Sequence, residues 1–534
     1  AVKRVATPTA GLLAGAILAT TPVATLMFRY DNPDALLVLL LTAAAYATVR
    51  AIELARSRWI VLAGVLLGFA FLTKMLQGFL IVPALVAAYL IAAPTSVRRR
   101  LLHLLAAGAA MVAAAGWWVA LVELWPAGSR PYIGGTNGNS VLELIFGYNG
   151  VGRLTGSSNN GNTSGGTGGF SSGETGWTRL FGSDMGTQIS WLLPAALVGI
   201  VALGWLCGRA PRTDRLRASL VVWGGWLICT GIVFSFASGI IHPYYTVALA
   251  PAIAAVVALA VTGLWHARRN EAARWVLAAV LASGVVWTFE LLGRAADWNP
   301  WLRWAVVLVG LAAVVVVLLP RAVAWIVAPL VAGTLLLAPT AYSLQTAATA
   351  HTGALPTAGP SGTSGFGGGP RGGGRPGGGG RPGGAPAGFG GGTAPNAGGP
   401  GPSFGGGTGG GAPGGLGGAT SVSSTLTTAL AKNASDYKWV AATVSANNAA
   451  SLELATGGAV MSLGGFNGTD PALTLAQFEK LVQAGQIHYF VADAQGFIGS
   501  TAANTSTAYA IQQWVEQHYT ATTVGGSTVY DLSG

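Results

Sequence analysis

"FRYDNPDALL" (residues 28–37) separates two apolar runs. The run before it extends back to about residue 8, and the run after it continues to about residue 50, both free of charge. A helix needs roughly 17–25 such residues to cross about 30 Å of hydrocarbon. The stretch therefore reads as a tight connection at a membrane face. It places Arg29, Tyr30, Asp31, Asn32 and Asp34 beside lipid, where charge is costly and marks function by default. Part of the set has a plain explanation. Pro33 suits a helix start, and a carboxylate at Asp34 complements the positive end of the helix dipole. Helix-start chemistry does not call for Arg29, Tyr30, Asp31 or Asn32.

Composition extends this reading to the whole chain. The 534 residues are 51% hydrophobic and 9% charged, against about 25% charge in ordinary soluble domains. Mean hydropathy is +0.54. The net charge of +11 sits mostly in short loops beside apolar runs, which is the pattern of cytoplasmic topology signals and argues against nucleic acid as a partner. The two cysteines, Cys207 and Cys229, belong to no metal-ligand cluster, so a disulfide scaffold and a zinc site are not expected. The chain opens on "AVKR" rather than Met and shows no cleavable signal, which suggests a fragment lacking its true N-terminus.

Spans are predicted near 8–28, 34–50, 59–75, 77–93, 101–122, 188–207, 219–237, 245–264, 275–292, 302–319 and 323–343, roughly eleven in all. If every span crosses, the loops with Lys3 and Arg4, with Arg50, Arg56 and Arg58, with Arg98–Arg100, with Arg209–Arg217 and with Arg268–Arg274 fall on one side. That side is cytoplasmic. The opposite face then holds residues 28–34, the loop 123–187, the turn at His242, and everything after about residue 344.

The fold class expected is a polytopic α-helical membrane protein followed by a small extracytoplasmic α/β domain. Residues 1–345 form the membrane domain, with its outer loop at 123–187. Residues 346–420, with "GFGGGPRGGGRPGGGGRPGG" at their core, read as a disordered Gly/Pro-rich tether. Residues 421–534 form the tail domain. There, 437–444 and 487–493 have strand composition, 474–485 and 507–519 have helical spacing, and a last strand ends near "STVYDL". The loop "GGFNGTDP" (464–471) is either a ligand loop or a strand-to-helix connection.

Further polar residues collect on the predicted outer rim. Lys74, in "TKMLQG", lies where the positive-inside rule disfavours lysine. It either snorkels to the headgroups or binds a phosphate as a point charge. Gln77 is placed to hydrogen-bond a sugar hydroxyl. "HPYYTVALAP" puts His242, Tyr244 and Tyr245 at the outer end of a span. Interface tyrosines are ordinary belt residues, whereas the histidine is a donor to a phosphate or sugar oxygen rather than a metal ligand. In the long outer loop Tyr148, Asn149 and Arg153 are carbohydrate- and phosphate-friendly types, and "VLELIFGY" fits an amphipathic helix on the membrane surface.

Taken in order, "RYDNPDALL", "TKMLQGFLIVPAL", "RPYIGGTNGNS", "FGYNGVGRLTG" and "HPYYTVALAP" resemble glycosyltransferase family 39, the protein-mannosyltransferase-like membrane proteins of the actinobacterial mannosyltransferase type. The tail, with "AVMSLGGFNGTDPALTLAQF" and "IHYFVAD", is similar to the extracytoplasmic domain that such proteins carry. The resemblance implies a GT-C-like fold. It also implies an inverting transfer of a hexose or pentose, mannose-like, from a polyprenyl-phosphate donor. The acceptor would be a glycan, lipid or protein of the cell envelope, and the enzyme would sit in the plasma membrane. No cofactor is certain, and a need for a divalent metal is left open. The family's principal catalytic acid lies on an outer loop upstream of the span that opens this chain, so this chain is expected to lack it. On these implications Asp31 and Asp34 are the catalytic candidates. Arg29, Tyr30, Asn32, Lys74, Gln77, Tyr148, Asn149, Arg153, His242, Tyr244 and Tyr245 are the substrate-binding candidates.

Two other classes compete. A transporter or lipid flippase with an extracytoplasmic binding domain would place polar groups in mid-span, on interrupted helices. An anchored binding protein would need a single span rather than roughly eleven.

Overall fold

The computed structural model describes residues 1–156, 174–321, 323–351, 355–360, 422–466, 468–492 and 506–533. Among the described residues, nine helices are long and apolar enough to cross a membrane. They are Asp34–Leu54, Ser57–Phe79, Val97–Leu124, Gly186–Cys207, Arg215–Phe236, Pro243–His266, Glu271–Gly293, Pro300–Leu318 and Ala324–Ala348. The chain is a polytopic helical membrane protein with a small sheet domain in its C-terminal region.

Two of the eleven predicted segments are not single long helices. The first, 8–28, is broken into Pro8–Ala19 and Pro22–Met27. Pro22 cannot supply an interior N–H. The Thr20 and Thr21 hydroxyls instead donate back to the carbonyls of Ala16 and Ile17, at 2.8 and 2.7 Å. The other, 77–93, opens as a 3-10 turn at Met75–Phe79 and continues as a helix of only 11 residues, Val82–Ala92.

Small residues set how closely the helices pack, since lipid gives no hydrophobic drive between them. Gly64 and Gly68, spaced four apart, form a flat strip against the Val97–Leu124 helix. A Cβ at Gly64 would fall 2.1 Å from the Ala107 carbonyl oxygen, and one at Gly68 would fall 2.6 Å from the Ala114 Cβ. The Pro243–His266 segment is the most enclosed, with Val247 to Ala260 almost wholly buried.

The predicted basic loops gather at one end of the bundle. Lys3, Arg4, Arg50, Glu53 and Arg215 line one recess. Arg212 donates to the Ile91 and Ala93 carbonyls, and Arg100 donates to Leu90 and Thr95. At the other end the Ala324–Ala348 helix runs past residue 345, where a linker is predicted to begin. Ala358 then packs back on the bundle, exchanging two hydrogen bonds with the Gln188 side chain at 2.8 and 3.2 Å. The glycine-rich core of that predicted tether lies outside the described residues.

The C-terminal sheet contains β1 (Trp439–Val444), β2 (Val460–Leu463), β3 (Ile487–Ala492), β4 (Ala521–Val524) and β5 (Ser527–Asp531), in the order β2-β1-β3-β5-β4. β2, β1 and β3 run parallel, while β5 and β4 are antiparallel. The two-residue period of a strand shows in the paired cores. Ala442 and Phe490 pack with Phe478, Val482, Ile511 and Val515 on one face. Ala441, Val491 and Val529 pack with Leu426, Leu430 and Leu452 on the other. β2, β4 and the helices Ser424–Ala431 and Ala446–Thr456 are elements that the sequence reading does not specify.

Candidate functional site

At the end of the bundle opposite the basic loops, Asp34 is the first residue of its helix and is fully buried. Its carboxylate does not cap the helix, contrary to the plain reading of a helix-start aspartate. The Asn32 side-chain oxygen takes that part, accepting the Asp34 N–H at 3.0 Å. The Asp34 carboxylate is turned to Lys74, whose Nζ lies 2.5 Å from Oδ2. Oδ1 has no hydrogen-bond partner among the described residues.

Lys74 does not snorkel to the surface, because the backbone changes course directly after it. The Ser57–Lys74 helix stops, and Met75 takes φ +45° and ψ −133°. This conformation strains a residue with a side chain by about 1–3 kcal/mol. The turn leaves the ammonium under two tyrosine rings, 3.9 Å from the Tyr245 centroid and 5.3 Å from that of Tyr244. A desolvated cation over aromatic faces gains about 2 kcal/mol. His242 completes the aromatic cluster. It stacks on Tyr244 at 5.5 Å and meets Tyr245 edge-on at 5.2 Å. Burial, reinforced by the positive charges of Arg153 and Lys74, pushes the imidazole pKa down to about 3. The ring is therefore neutral near pH 7, and its buried Nδ1 is unpartnered among the described residues.

The outer loop brings Arg153. Residues 153–154 pair with 238–239 through backbone bonds from Ser238 N–H to Leu154 O and from Gly239 N–H to Arg153 O, both 3.0 Å. Gly239 is needed there, since a Cβ would fall 2.4 Å from the Gly152 oxygen. Arg153 Nη1 donates to the Ile240 carbonyl at 2.6 Å, and its guanidinium lies 4.8 Å from the Tyr148 ring centroid. Tyr148 and Asn149 sit in the helical stretch Glu143–Val151, which winds with the wider i→i+5 pattern found often at functional sites. Asn149 donates to the Met75 sulfur at 3.2 Å. This stretch is the predicted amphipathic "VLELIFGY" segment. It buries Val141 and Ile145 against Phe71 and Ala115 and leaves Leu142 and Phe146 exposed.

The cluster therefore joins Asp34, Lys74, Tyr148, Asn149, Arg153, His242, Tyr244 and Tyr245 of the predicted set. Asp34 is the one carboxylate among them. Other predicted residues stand apart. Arg29 is exposed and donates to the Ala347 carbonyl at 2.8 Å, tying its loop to the last long helix. Tyr30 packs against the apolar core, and Asp31 is exposed on the rim. Gln77 lies in the turn after Lys74, with its amide nitrogen buried and unpartnered among the described residues. No group of three or more His, Cys, Asp or Glu side chains converges as a metal site among the described residues.

Residues 1–119, which carry Asp34 and Lys74, match the family model "Dolichyl-phosphate-mannose-protein mannosyltransferase". Residues 426–518 match the model "Putative mannosyltransferase YkcB-like, C-terminal". The chain is 29% identical to "Putative mannosyltransferase YkcB" of Bacillus subtilis (strain 168), over 96% of this chain and 76% of that protein. It is 26% identical to "Putative mannosyltransferase YycA" of the same organism, over 91% and 77%. This chain is a protein-mannosyltransferase-like membrane glycosyltransferase. A solved structure of ArnT from Cupriavidus metallidurans bound to undecaprenyl phosphate aligns with all of the glycosyltransferase and 81% of that chain, at 16% identity and a TM-score of 0.48. That likeness is too loose to carry weight by itself.

Several residues that shape the glycosyltransferase's site are missed by the sequence reading. One had a visible signal. "SVLE" (140–143) is the S-x-x-E pattern of a helix start. Ser140 Oγ accepts the Glu143 N–H at 3.4 Å, and the Glu143 carboxylate accepts the N–H groups of Asn137 and Gly138 at 2.9 and 2.8 Å. Met75 had none, because a left-handed φ at methionine follows from the surrounding packing. Nor did Asp470, whose partner Gly135 is 335 residues away.

Proposed function

We propose that this glycosyltransferase moves a hexose or pentose, mannose-like, from a polyprenyl-phosphate donor to an acceptor on the extracytoplasmic face, with inversion at the anomeric carbon. The observation that carries the reading is the buried Asp34–Lys74 pair under Tyr244 and Tyr245, with Arg153 alongside. The basic loops at the far end of the bundle support the orientation.

In such a transfer an acceptor oxygen attacks the anomeric carbon. The bond from that carbon to the lipid phosphate breaks, and the phosphate leaves with the electron pair. Fixed cations aimed at the departing charge are the largest aid a site can give. Lys74 and Arg153 take that part. Lys74 is a compact point charge, and Arg153 is a planar fork that presents several donors. Asp34 keeps the lysine ionised and aimed, so the ammonium needs no reorganisation when the phosphate arrives. Tyr244, Tyr245 and neutral His242 exclude water and give flat faces for a sugar or an isoprenoid. Asp31, exposed three residues before Asp34, is free to hold an acceptor hydroxyl.

The test is sugar transfer from polyprenyl-phosphate mannose by the full chain in lipid nanodiscs, comparing wild type with Lys74→Met and Arg153→Gln. The proposal expects both variants to lose donor-dependent transfer. Full transfer by both would remove the site from the reaction.

A further inference from the structure

The mechanism above uses nothing from the C-terminal domain, yet that domain touches the outer loop beside the site. Asp470 Oδ2 accepts the Gly135 N–H at 3.0 Å, and a Cβ at Gly134 would meet the same oxygen at 3.3 Å. Asp470 lies on the connection after β2, at the carboxyl edge of the parallel strands. That connection is built to present it. Gly464, Gly465 and Gly468 have φ of +73°, +66° and +79°. A Cβ at Gly465 would fall 2.3 Å from Asp470 Oδ2, and the Asp470 N–H is held by the Gly464 carbonyl at 3.0 Å.

The receiving loop is equally specified. Ile133 N–H donates to the Asn139 side chain at 2.8 Å, Thr136 Oγ1 donates to the Ile133 carbonyl at 2.7 Å, and the Tyr132 hydroxyl donates to the Thr136 carbonyl. Burial and the Asp470 charge push the Tyr132 pKa up to about 12, so this hydroxyl remains a donor at any physiological pH. Gly135 has φ +79°, and its Cα faces the Tyr148 ring, with a Cβ there lying 3.5 Å from Tyr148 Cδ1. Tyr148 in turn supports the Arg153 guanidinium. A continuous line of contacts therefore runs from Asp470 through Gly135 and Tyr148 to Arg153.

We propose that Asp470 is a positioning residue for the transfer site. By accepting the Gly135 N–H it docks the carboxyl edge of the α/β sheet on the outer loop and fixes the surface on which Tyr148, and through it Arg153, is set. The inference rests on the assignment of Arg153 to the lipid phosphate. The docking half stands independently of that assignment.

The experiment uses the full chain in nanodiscs, as wild type, Asp470→Ala and Asp470→Asn. The asparagine keeps an acceptor oxygen for Gly135. Hydrogen exchange of the peptide covering residues 132–140 reads docking, and exchange within β1 reports that the domain is folded. Donor kinetics with polyprenyl-phosphate mannose read positioning. The expected result is faster exchange at 132–140 in Asp470→Ala alone. In the same variant KM for the donor rises about fivefold at nearly unchanged kcat, the signature of lost binding rather than lost chemistry. Unchanged exchange in Asp470→Ala would overturn the docking. Faster exchange with unchanged KM would overturn the positioning role. If no variant, wild type included, transfers sugar, the functional reading fails while the exchange data still decide the docking.

Discussion

The two ends of the bundle each bury a carboxylate among cations, for different reasons. At the basic end Glu53 Oε2 receives Arg4 at 3.0 Å and Arg50 at 2.7 Å. Arginine is expected there, since membrane orientation places it in those loops. Its neighbours Arg100, Arg212 and Arg217 end on backbone carbonyls left open at chain turns, so folding accounts for the charge. At the other end Asp34 and Lys74 form a pair that orientation does not call for. It is held under two tyrosines by a strained residue. Charge that neither topology nor helix capping explains marks the end where substrate is handled.

The largest expected difference between the ends is in removing one partner. Lys74→Met leaves Asp34 buried without its ion, which destabilises by about 3–5 kcal/mol. The double variant Asp34→Leu/Lys74→Met regains most of that stability and none of the transfer, because two apolar residues can replace a buried pair but cannot hold a phosphate. At the basic end Glu53→Gln lowers stability by about 1 kcal/mol and leaves transfer near wild type. Thermal unfolding beside a transfer assay checks all three. A double variant that transfers sugar would erase the contrast.

Next comes Tyr148→Ala, which removes the ring beneath Arg153. Donor KM is expected to rise about tenfold with kcat little changed, corresponding to roughly 1–2 kcal/mol of cation–aromatic and packing support. Initial rates over a range of donor concentrations measure it.

His242 gives a pH test with a definite sign. Its folded pKa, about 3, lies below the ordinary value of 6.5. Between those values the unfolded chain binds the extra proton, so stability falls as pH drops from about 6.5 toward 3. His242→Gln should flatten that fall in a denaturation series. The transfer rate should show no limb near pH 6.5 that this substitution removes. A limb that disappears with His242 would make the imidazole a titrating participant.

The smallest effect concerns Met75. Glycine adopts φ +45° without strain, so Met75→Gly should be less destabilising than Met75→Ala by about 1 kcal/mol. Equal losses in the two variants would mean that the turn after Lys74 stores no strain.

Much of the architecture is legible in the sequence because a membrane imposes few solutions. Unbroken apolar runs such as 250–264 and 302–318 become helices wherever they occur. The breaks at Thr20–Thr21 and Met75–Phe79 are not legible from hydropathy, which does not distinguish an α turn from a 3-10 turn or from a hydroxyl bonded to a carbonyl. In the tail β1 and β3 announce themselves by β-branched and aromatic residues. "VMSL" and "ATTV" are too short to do so, and the helix Ala446–Thr456 follows Ser445 at φ +77° with little amphipathic pattern. At the site, Asp34 and Lys74 each look out of place in the sequence, but their meeting depends on the Met75 turn. Arg29 and Asn32 look equally unusual, and they prove to tie a loop and cap a helix. Residue type and depth raise candidates, and tertiary contact separates those that share a site from those that support it.

The most direct test of the central claim is binding of polyprenyl-phosphate mannose to the full chain in nanodiscs, with Arg153→Gln and Glu53→Gln compared side by side after both are shown to be folded. The account predicts at least tenfold weaker binding for Arg153→Gln and unchanged binding for Glu53→Gln. Equal affinity in the two variants, or a greater loss at Glu53, would contradict the placement of the donor site at the Asp34–Lys74 end.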